Sequence, residues 1–510
     1  MTDIDRRDFL AGVLGSAALL GGGGLPQLAR TMARFGSSET ALAVVSRKNV
    51  YCLRATSADI VAYRNAITAM RARPATDPTS WLAQANIHGS YAPPPGMITG
   101  VCEHSSGFVN RFFVSWHRIY LHYFERIIRA SSGNPTFALP YWGYSPIGTG
   151  PRDLPAIFRD PTNLPELYVS QRNTGVNAGN PLSPSLVDSG AAMTPLTFGG
   201  WSGFSIALES TPHGDVHSAV GSTPTTAGPS VDGWMGTFEE AGQDPIFWLH
   251  HANIDRLWSV WIGSGGGRAN PADAAWLNHS WNFYDETGAQ VSMTGAQVLD
   301  TATQLGYSYA TTTCPRVPNI YPDTRLRWLD PRVIELLRRL RIRKPWPPPP
   351  PPPFAQQARI SLGSSPVEIS LAVSAEGQKV LQRFPTAGGQ GTQLALVFSD
   401  IHLQAPASVF YEVYINLRGS PGAAEYTNPG YAGNISFFGP SRRGRNKDMG
   451  LSRTINLIPA FALLSAAGLW RNDVVRVTLV PKGVTENQRP DRVLGNRIQA
   501  TVGRVELRIE

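Results

Sequence analysis

Seven consecutive prolines, Pro347 to Pro353, divide the chain into two parts with separate cores. Each proline lacks a backbone donor and holds φ at about −65°, so the run can neither continue a helix nor enter a sheet. It adopts a stiff polyproline II rod spanning about 22 Å at roughly 3.1 Å per residue. A basic helical stretch, Pro331 to Lys344, leads into it, and residues 331–355 together read as a linker.

Beyond the rod the apolar residues recur with period two: Val367, Ile369, Leu371 and Val373, then Val409, Tyr411, Val413, Ile415 and Leu417. Val475, Val477 and Leu479 continue the pattern, and Val505, Leu507 and Ile509 close it. Short alternating strands between Gly and Pro turns specify an all-β sandwich or barrel over residues 356–510. Before the rod the period is helical. Ile60, Tyr63, Ile67 and Met70 follow a capping Ser57, and Trp116, Tyr120, Tyr123 and Ile127 line a helix from about Phe112 to Ala130. A third helix begins after Asp244-Pro245 and carries Ile246, Leu249, Leu257, Trp258 and Trp261. Gly, Pro, Ser and Thr dominate much of the rest, notably Gly143 to Gly233, so residues 46–330 read as a mainly α domain wrapped in long loops.

The N-terminus, Asp5-Arg6-Arg7-Asp8-Phe9-Leu10, precedes a weakly apolar run and the glycines Gly21 to Gly24. This is the layout of a twin-arginine export signal over residues 1–45, and it makes the twin-arginine machinery an expected partner and the periplasm or exterior the expected location. The run falls short of the roughly 20 apolar residues that span a bilayer, so stable membrane insertion is not expected. The net charge is +8, but the arginines are dispersed apart from Arg338, Arg339, Arg341, Arg343 and Lys344, which argues against a nucleic-acid partner. Cys52, Cys102 and Cys314 allow one disulfide at most, with the pairing open.

Histidine is scarce, with ten in the chain, and most fall in three local groups. His213 and His217 are four apart, so on a helix both imidazoles project from one face towards a single ion. His251 is a third candidate for that ion. His250, its neighbour, leaves a helix about 100° away, so only one of the two is expected to face the metal. His88, His104 and His117 form a parallel upstream set. No Cys, Asp or Glu pattern recurs at ligand spacing, which disfavours structural zinc and carboxylate-bridged di-iron; two three-histidine sites favour two copper ions. His122, His279 and His402 read as structural.

These residues resemble the tyrosinase, catechol oxidase and haemocyanin family of type-3 copper proteins, over roughly Val50 to Tyr309. The resemblance is carried by Trp116-His117-Arg118 with Glu125, by Pro212-His213 with His217, and by Asp244-Pro245-Ile246-Phe247 with His251 and Asp255. Pro140-Tyr141-Trp142 and Tyr307-Ser308-Tyr309 are also similar to family segments. The resemblance implies a four-helix bundle holding a binuclear copper centre, with one helix pair for each copper and His251 as the ligand of the 250/251 pair. It gives Arg118, Glu125, Asp255 and Arg256 supporting roles behind the ligands. Two departures stand out. The step from His104 to His117 is four residues longer than in the family, with Phe108 at the usual ligand distance. No cysteine follows His88 closely, so the thioether of the plant enzymes should be missing.

The implied activity is oxidation of o-diphenols to o-quinones with reduction of O2 to water, the partners being a small phenol and O2. Phe238 matches the family's gate position above one copper, and Glu209 matches the carboxylate that holds a water near the site. Gly214 stands where efficient monophenol hydroxylases often carry asparagine, so monophenolase activity should be weak or absent. A tyrosinase with full monophenolase activity, an o-aminophenol oxidase and a haemocyanin-like O2 carrier are the alternatives. The β domain is similar to the one appended to plant polyphenol oxidases. The short rod holds it close to the catalytic unit, so an intramolecular contact that covers the copper site and keeps the enzyme latent is expected. Tyr431, in the loop Asn428-Pro429-Gly430-Tyr431-Ala432-Gly433 whose glycines let the backbone approach closely, is the expected plug.

Overall fold

The computed structural model describes residues 44–102, 112–144, 151–193, 200–222, 233–265, 267–310, 314, 353, 355–387, 394–404, 409–438 and 450–509. The export segment, the linker, and His104 with Phe108 lie wholly or almost wholly outside them. No helix among the described residues is long and apolar enough to cross a membrane.

The helical core forms where the 3.6-residue period runs longest. Helix α1, Ala58–Arg71, buries Ile60, Tyr63, Ile67 and Met70 completely. Ser57 takes the N-cap position, but its hydroxyl accepts from Arg54 N at 2.9 Å, a turn before the helix, and not from the helix's first turn. Helix α2, Trp81–His88, has no clear amphipathic signature in sequence; Ser80 caps it by accepting from Ala83 N at 3.1 Å. Helix α3, Phe113–Ser132, follows, then α4, Trp201–Leu208. An irregular turn, Glu209–Gly214, joins α4 to α5, Asp215–Gly221. Helix α6, Pro245–Gly263, has proline in its first turn and Asp244 as cap, accepting from Ile246 N at 3.0 Å. Buried Arg172 pairs with the same Asp244 at 2.6 Å, which fixes the start of α6 against the loops.

Four short strands frame this bundle: β1, Val45–Arg47; β2, Ser280–Tyr284; β3, Gln290–Thr294; and β4, Tyr307–Tyr309. Strands β2 and β3 form a hairpin, while β1 and β4 pair in parallel and place Arg47 beside Tyr309. Arg47 is fully buried and bonds Glu125 of α3 at 2.9 Å, Asp255 of α6 at 3.3 Å and the Tyr309 hydroxyl at 3.0 Å. Its guanidinium lies 3.6 Å from the Tyr307 ring centre. Arg118 pairs with the other Asp255 oxygen and stacks 3.3 Å over Trp258, and Tyr307 donates to Asp255 at 2.6 Å. Burial alone would raise the Asp255 pKa, but Arg118 and Arg47 outweigh it and hold the carboxyl below its usual range. This network ties α3 to α6 from behind. Cys52 and Cys314 form a disulfide, leaving Cys102 outside it.

The second core belongs to eight strands: β5, Ala355–Leu362; β6, Val367–Ala372; β7, Leu394–Leu403; β8, Val409–Ile415; β9, Tyr431–Ile435; β10, Leu451–Asn456; β11, Val474–Gly483; and β12, Ala500–Ile509. They build two four-stranded sheets, β10-β7-β12-β5 and β6-β11-β8-β9. Leu396, Phe398, Val502 and Val505 of one sheet meet Leu371, Val413, Val475 and Val477 of the other in a shared apolar layer, so the domain is a β-sandwich. Three helices, Ala375–Ala387, Ile458–Ala466 and the short Pro490–Leu494, interrupt the strands.

The sandwich docks on the helical part at two places. Residues 181–183 and 483–486 pair through their main chains: Ser183 N donates to Val484 O and Glu486 N to Pro181 O, both at 3.1 Å. Arg152 and Glu486 form an ion pair beside them, and Phe410 and Val484 pack into the helical core. The other place is the segment that follows β9, which runs over α5.

Candidate metal centre

Six histidines among the described residues converge between α2, α3, α5 and α6, and all are buried. His213, His217, His250 and His251 each bring one nitrogen within 4.8 Å of the others, and His88, His117 and His251 form a second such group. His251 belongs to both and lies between them. The expectation that His250 would turn away is corrected: both neighbours reach the His213–His217 pair. His250 is held there by Tyr144, whose hydroxyl lies 3.1 Å from Nδ1, and its ring centre is 4.8 Å from that of His217.

The backbone sets the tautomer of four rings. Nδ1 of His88 meets Phe238 O at 2.7 Å, Nδ1 of His117 meets Phe113 O at 2.8 Å, Nδ1 of His213 meets Glu209 O at 3.0 Å, and Nδ1 of His217 meets Met235 O at 2.9 Å. A carbonyl only accepts, so each Nδ1 carries the proton and each Nε2 keeps its lone pair for the centre. Gly89 makes the first contact possible, because a Cβ there would stand 2.4 Å from Phe238 O.

Nε2 of His217 and Nε2 of His251 face each other at 3.2 Å. Burial, then the neighbouring histidines, push the His251 pKa well below its ordinary value, and His250 shifts the same way for the same reasons. A proton is therefore a poor way to join these nitrogens. The His251 Nδ1 and His250 Nε2 atoms are buried without a hydrogen-bond partner among the described residues. A cluster of neutral imidazoles, with no carboxylate in either group, suits copper. Cys102 Sγ lies 3.5 Å from His117 Nε2, a neighbour that sequence reasoning missed.

The residues expected around the metals fall as follows. Phe238 holds His88 through its carbonyl, and its ring meets the His88 ring edge-on at 6.4 Å. Glu209 supports His213 through its carbonyl, and its carboxylate interacts with Arg453 of β10. Gly214 lies under the Phe438 ring: a Cβ there would come 3.4 Å from Glu209 O and 4.0 Å from Phe438 Cδ1. Phe438, three residues beyond β9, stacks on His217 with centroids 4.2 Å apart and planes 18° from parallel, and meets His213 edge-on at 5.6 Å. Phe438, not Tyr431, is the aromatic residue that the sandwich brings to the centre. Tyr431 instead packs on Tyr414 and Tyr426 and donates to Asn434 Oδ1 at 2.9 Å. Gly430, counted as backbone freedom for a plug, serves the sheet: Ile415 N donates to Gly430 O at 2.7 Å, and a Cβ on Gly430 would meet Ile415 O at 2.3 Å. Asp215, at 1% exposure, accepts from Thr211 Oγ1 and Asn434 Nδ2, both at 2.7 Å. Burial pushes its carboxyl up to about 6. His122, His279 and His402 stand outside both groups.

The fold and these groups define a class: an all-histidine binuclear metalloprotein built on a helical core and carrying a β-sandwich. The common central domain of tyrosinase matches residues 78–181 and 171–264, and the polyphenol oxidase middle domain matches 270–333. Tyrosinase HcTyr1 of Hahella sp. (strain CCB-MM4) is 27% identical over 91% of this chain and 99% of that protein. The chloroplastic polyphenol oxidase of Malus domestica is 28% identical over 82% of this chain and 72% of its own length. Among solved structures, latent apple tyrosinase superposes with a TM-score of 0.59 at 23% identity, covering 92% of this chain and 97% of that one. Latent aurone synthase gives 0.58 at 22%, covering 92% and 90%. The chain belongs to the tyrosinase and polyphenol oxidase family of type-3 copper proteins, and is an oxidoreductase whose cofactor is a binuclear copper centre.

Proposed function

We propose that the chain oxidises o-diphenols to o-quinones, two catechols giving up four electrons and four protons as one O2 becomes two waters, and that it hydroxylates monophenols weakly. His88, His104 and His117 hold one copper; His213, His217 and His251 hold the other. The copper pair supplies O2 binding and electron transfer. The chain's own residues orient the ring: Phe238 borders its path, Glu209 holds a water near it, and Gly214 offers no second group to receive a phenol proton. His250, held by Tyr144, supports the second site without ligating it. Export by the twin-arginine route, from the signal over residues 1–45, belongs to the same reading, as does a catalytic unit over residues 46–330 linked by 331–355 to the sandwich.

The observation that carries this reading is the flat contact of Phe438 with His217. An aromatic ring lies against a histidine of the proposed copper site, where the ring of a phenolic substrate would lie. The sandwich therefore keeps the full-length enzyme latent. Oxygen uptake by the copper-loaded protein, intact and after limited proteolysis, tests this with a panel of matched monophenols, catechols and o-aminophenols. Catechol turnover should dominate and rise on cleavage. A tyramine rate equal to that of the matching catechol would overturn the diphenolase reading, and equal catechol rates before and after cleavage would overturn latency.

A further inference from the structure

Asn434 in β9 is buried, and both ends of its amide are occupied by different parts of the molecule. Tyr431 donates its hydroxyl to Oδ1 at 2.9 Å, while Nδ2 donates to Asp215 Oδ2 at 2.7 Å and to Ser185 O at 3.0 Å. The three partners agree on which end is the amide nitrogen. Three residues on, Phe437 N donates to Ser218 Oγ at 3.2 Å. Asp215 and Ser218 are the first and fourth residues of α5, between and beside His213 and His217. Asp215 also accepts from Thr211 Oγ1, so one carboxylate joins the irregular turn, α5 and the sandwich. Helix α5 has seven residues and is entered through Thr211 in an extended conformation, φ −133° and ψ 121°. So short a helix is marginal on its own, and its register depends on what packs against it.

We propose that Asn434, oriented by Tyr431, is a positioning residue for the copper held by His213 and His217, so that docking of the sandwich and retention of this copper are coupled. The proposal rests on the ligand assignment above. Coupling is reciprocal: docking slows the loss of this copper, and the copper strengthens docking. The copper held by His88 and His117 has no part in it, because these contacts fall on residues 185 and 215–218 and not on α2 or α3.

The test uses the full-length, copper-loaded protein challenged with excess chelator, following released copper and the EPR signal of any unpaired Cu(II) left behind. Asn434→Leu removes the donor at similar volume. Ser218→Ala removes the second contact from the catalytic side without touching the sandwich. Loss of a hydrogen bond to a charged group corresponds to about tenfold in an equilibrium. In N434L one copper per chain should leave about tenfold faster while the other keeps its wild-type rate, so that a lone EPR-visible Cu(II) accumulates. S218A should accelerate the same phase by a smaller factor. Unchanged release in both variants, or equal acceleration of both coppers, overturns the proposal. A wild-type protein that binds fewer than two coppers overturns the ligand assignment, and the proposal with it.

Discussion

The Phe438 ring lies on the His217 ring at 4.2 Å, nearly parallel to it, although one residue comes from the sandwich and the other from the helical domain. The contact is held from the sandwich side. Arg453 of β10 donates to Ser436 O at 3.0 Å and to Phe438 O, so the segment after β9 is tied to the other sheet of the sandwich. The Phe238 ring also meets the Phe438 ring, nearly at right angles with centroids 4.7 Å apart. The Phe438 ring is thus a side chain of the sandwich domain reaching into the helical unit.

Truncation of that ring should activate the enzyme without any cut in the chain. Phe438→Ala in full-length protein at equal copper loading is expected to raise catechol oxidation by about tenfold or more, since the occupied and open states then differ by the lost ring contacts. Limited proteolysis should add little afterwards. A wild-type rate in F438A that still climbs on proteolysis would place the block elsewhere in the sandwich.

Gly214 links selectivity to latency. A Cβ there stands 3.4 Å from Glu209 O and 4.0 Å from Phe438 Cδ1, so the longer side chain of asparagine would press towards the plug. Gly214→Asn should therefore raise two quantities: basal catechol oxidation of the uncut protein, and the ratio of monophenol to catechol turnover after cleavage. Steady-state oxygen uptake on both forms reads each. A variant as latent as wild type would show that the plug tolerates the side chain, and an unchanged substrate ratio would remove Gly214 from the explanation of selectivity.

Much of this site was legible because its signals are local. His213 and His217 sit one helical turn apart in sequence, and Asp244-Pro245 announces the helix that carries His251. The plug was not legible, because nothing near Phe438 in sequence indicates that it meets His217; the glycines around Tyr431 were read as room for a plug when they serve pairing with β8. Strand β7 was missed for another reason: Leu394 to Phe398 is buried on both faces and shows no alternation. Strand β5 was missed because its exposed positions run together, from Gln356 to Arg359. Arg47 carries no pattern at all in Val45-Ser46-Arg47, yet the tie between α3 and α6 passes through it.

His250 and His251 make a sharper comparison than sequence allowed, since both stand among the clustered rings. His251 is shared by both groups, whereas His250 belongs to one and is anchored by Tyr144. His251→Gln should lower copper content by at least one ion per chain and abolish catechol oxidation. His250→Gln should keep two ions per chain and retain measurable activity. Metal analysis after desalting decides between them. If H250Q lost a copper while H251Q kept both, the ligand assignment of the pair would be reversed.

His122 gives the chain a pH dependence separate from the metals. It lies on α3, where burial, then Arg126, Arg47 and Arg129, push its pKa down to about 3. In the unfolded chain a histidine titrates at about 6.5. Between those values the unfolded state binds the extra proton, so stability is full above pH ~6.5 and is lost as pH falls towards the folded value. From pH 6.5 to 5 the loss amounts to roughly 1 to 2 kcal/mol. Replacement of His122 by Gln removes the titrating group and should flatten the profile over that interval. Urea unfolding of copper-loaded wild type and H122Q at pH 7 and pH 5 measures it as a difference of differences: wild type should lose more stability than the variant by that amount. Parallel losses in the two proteins would show that some other group takes up the proton.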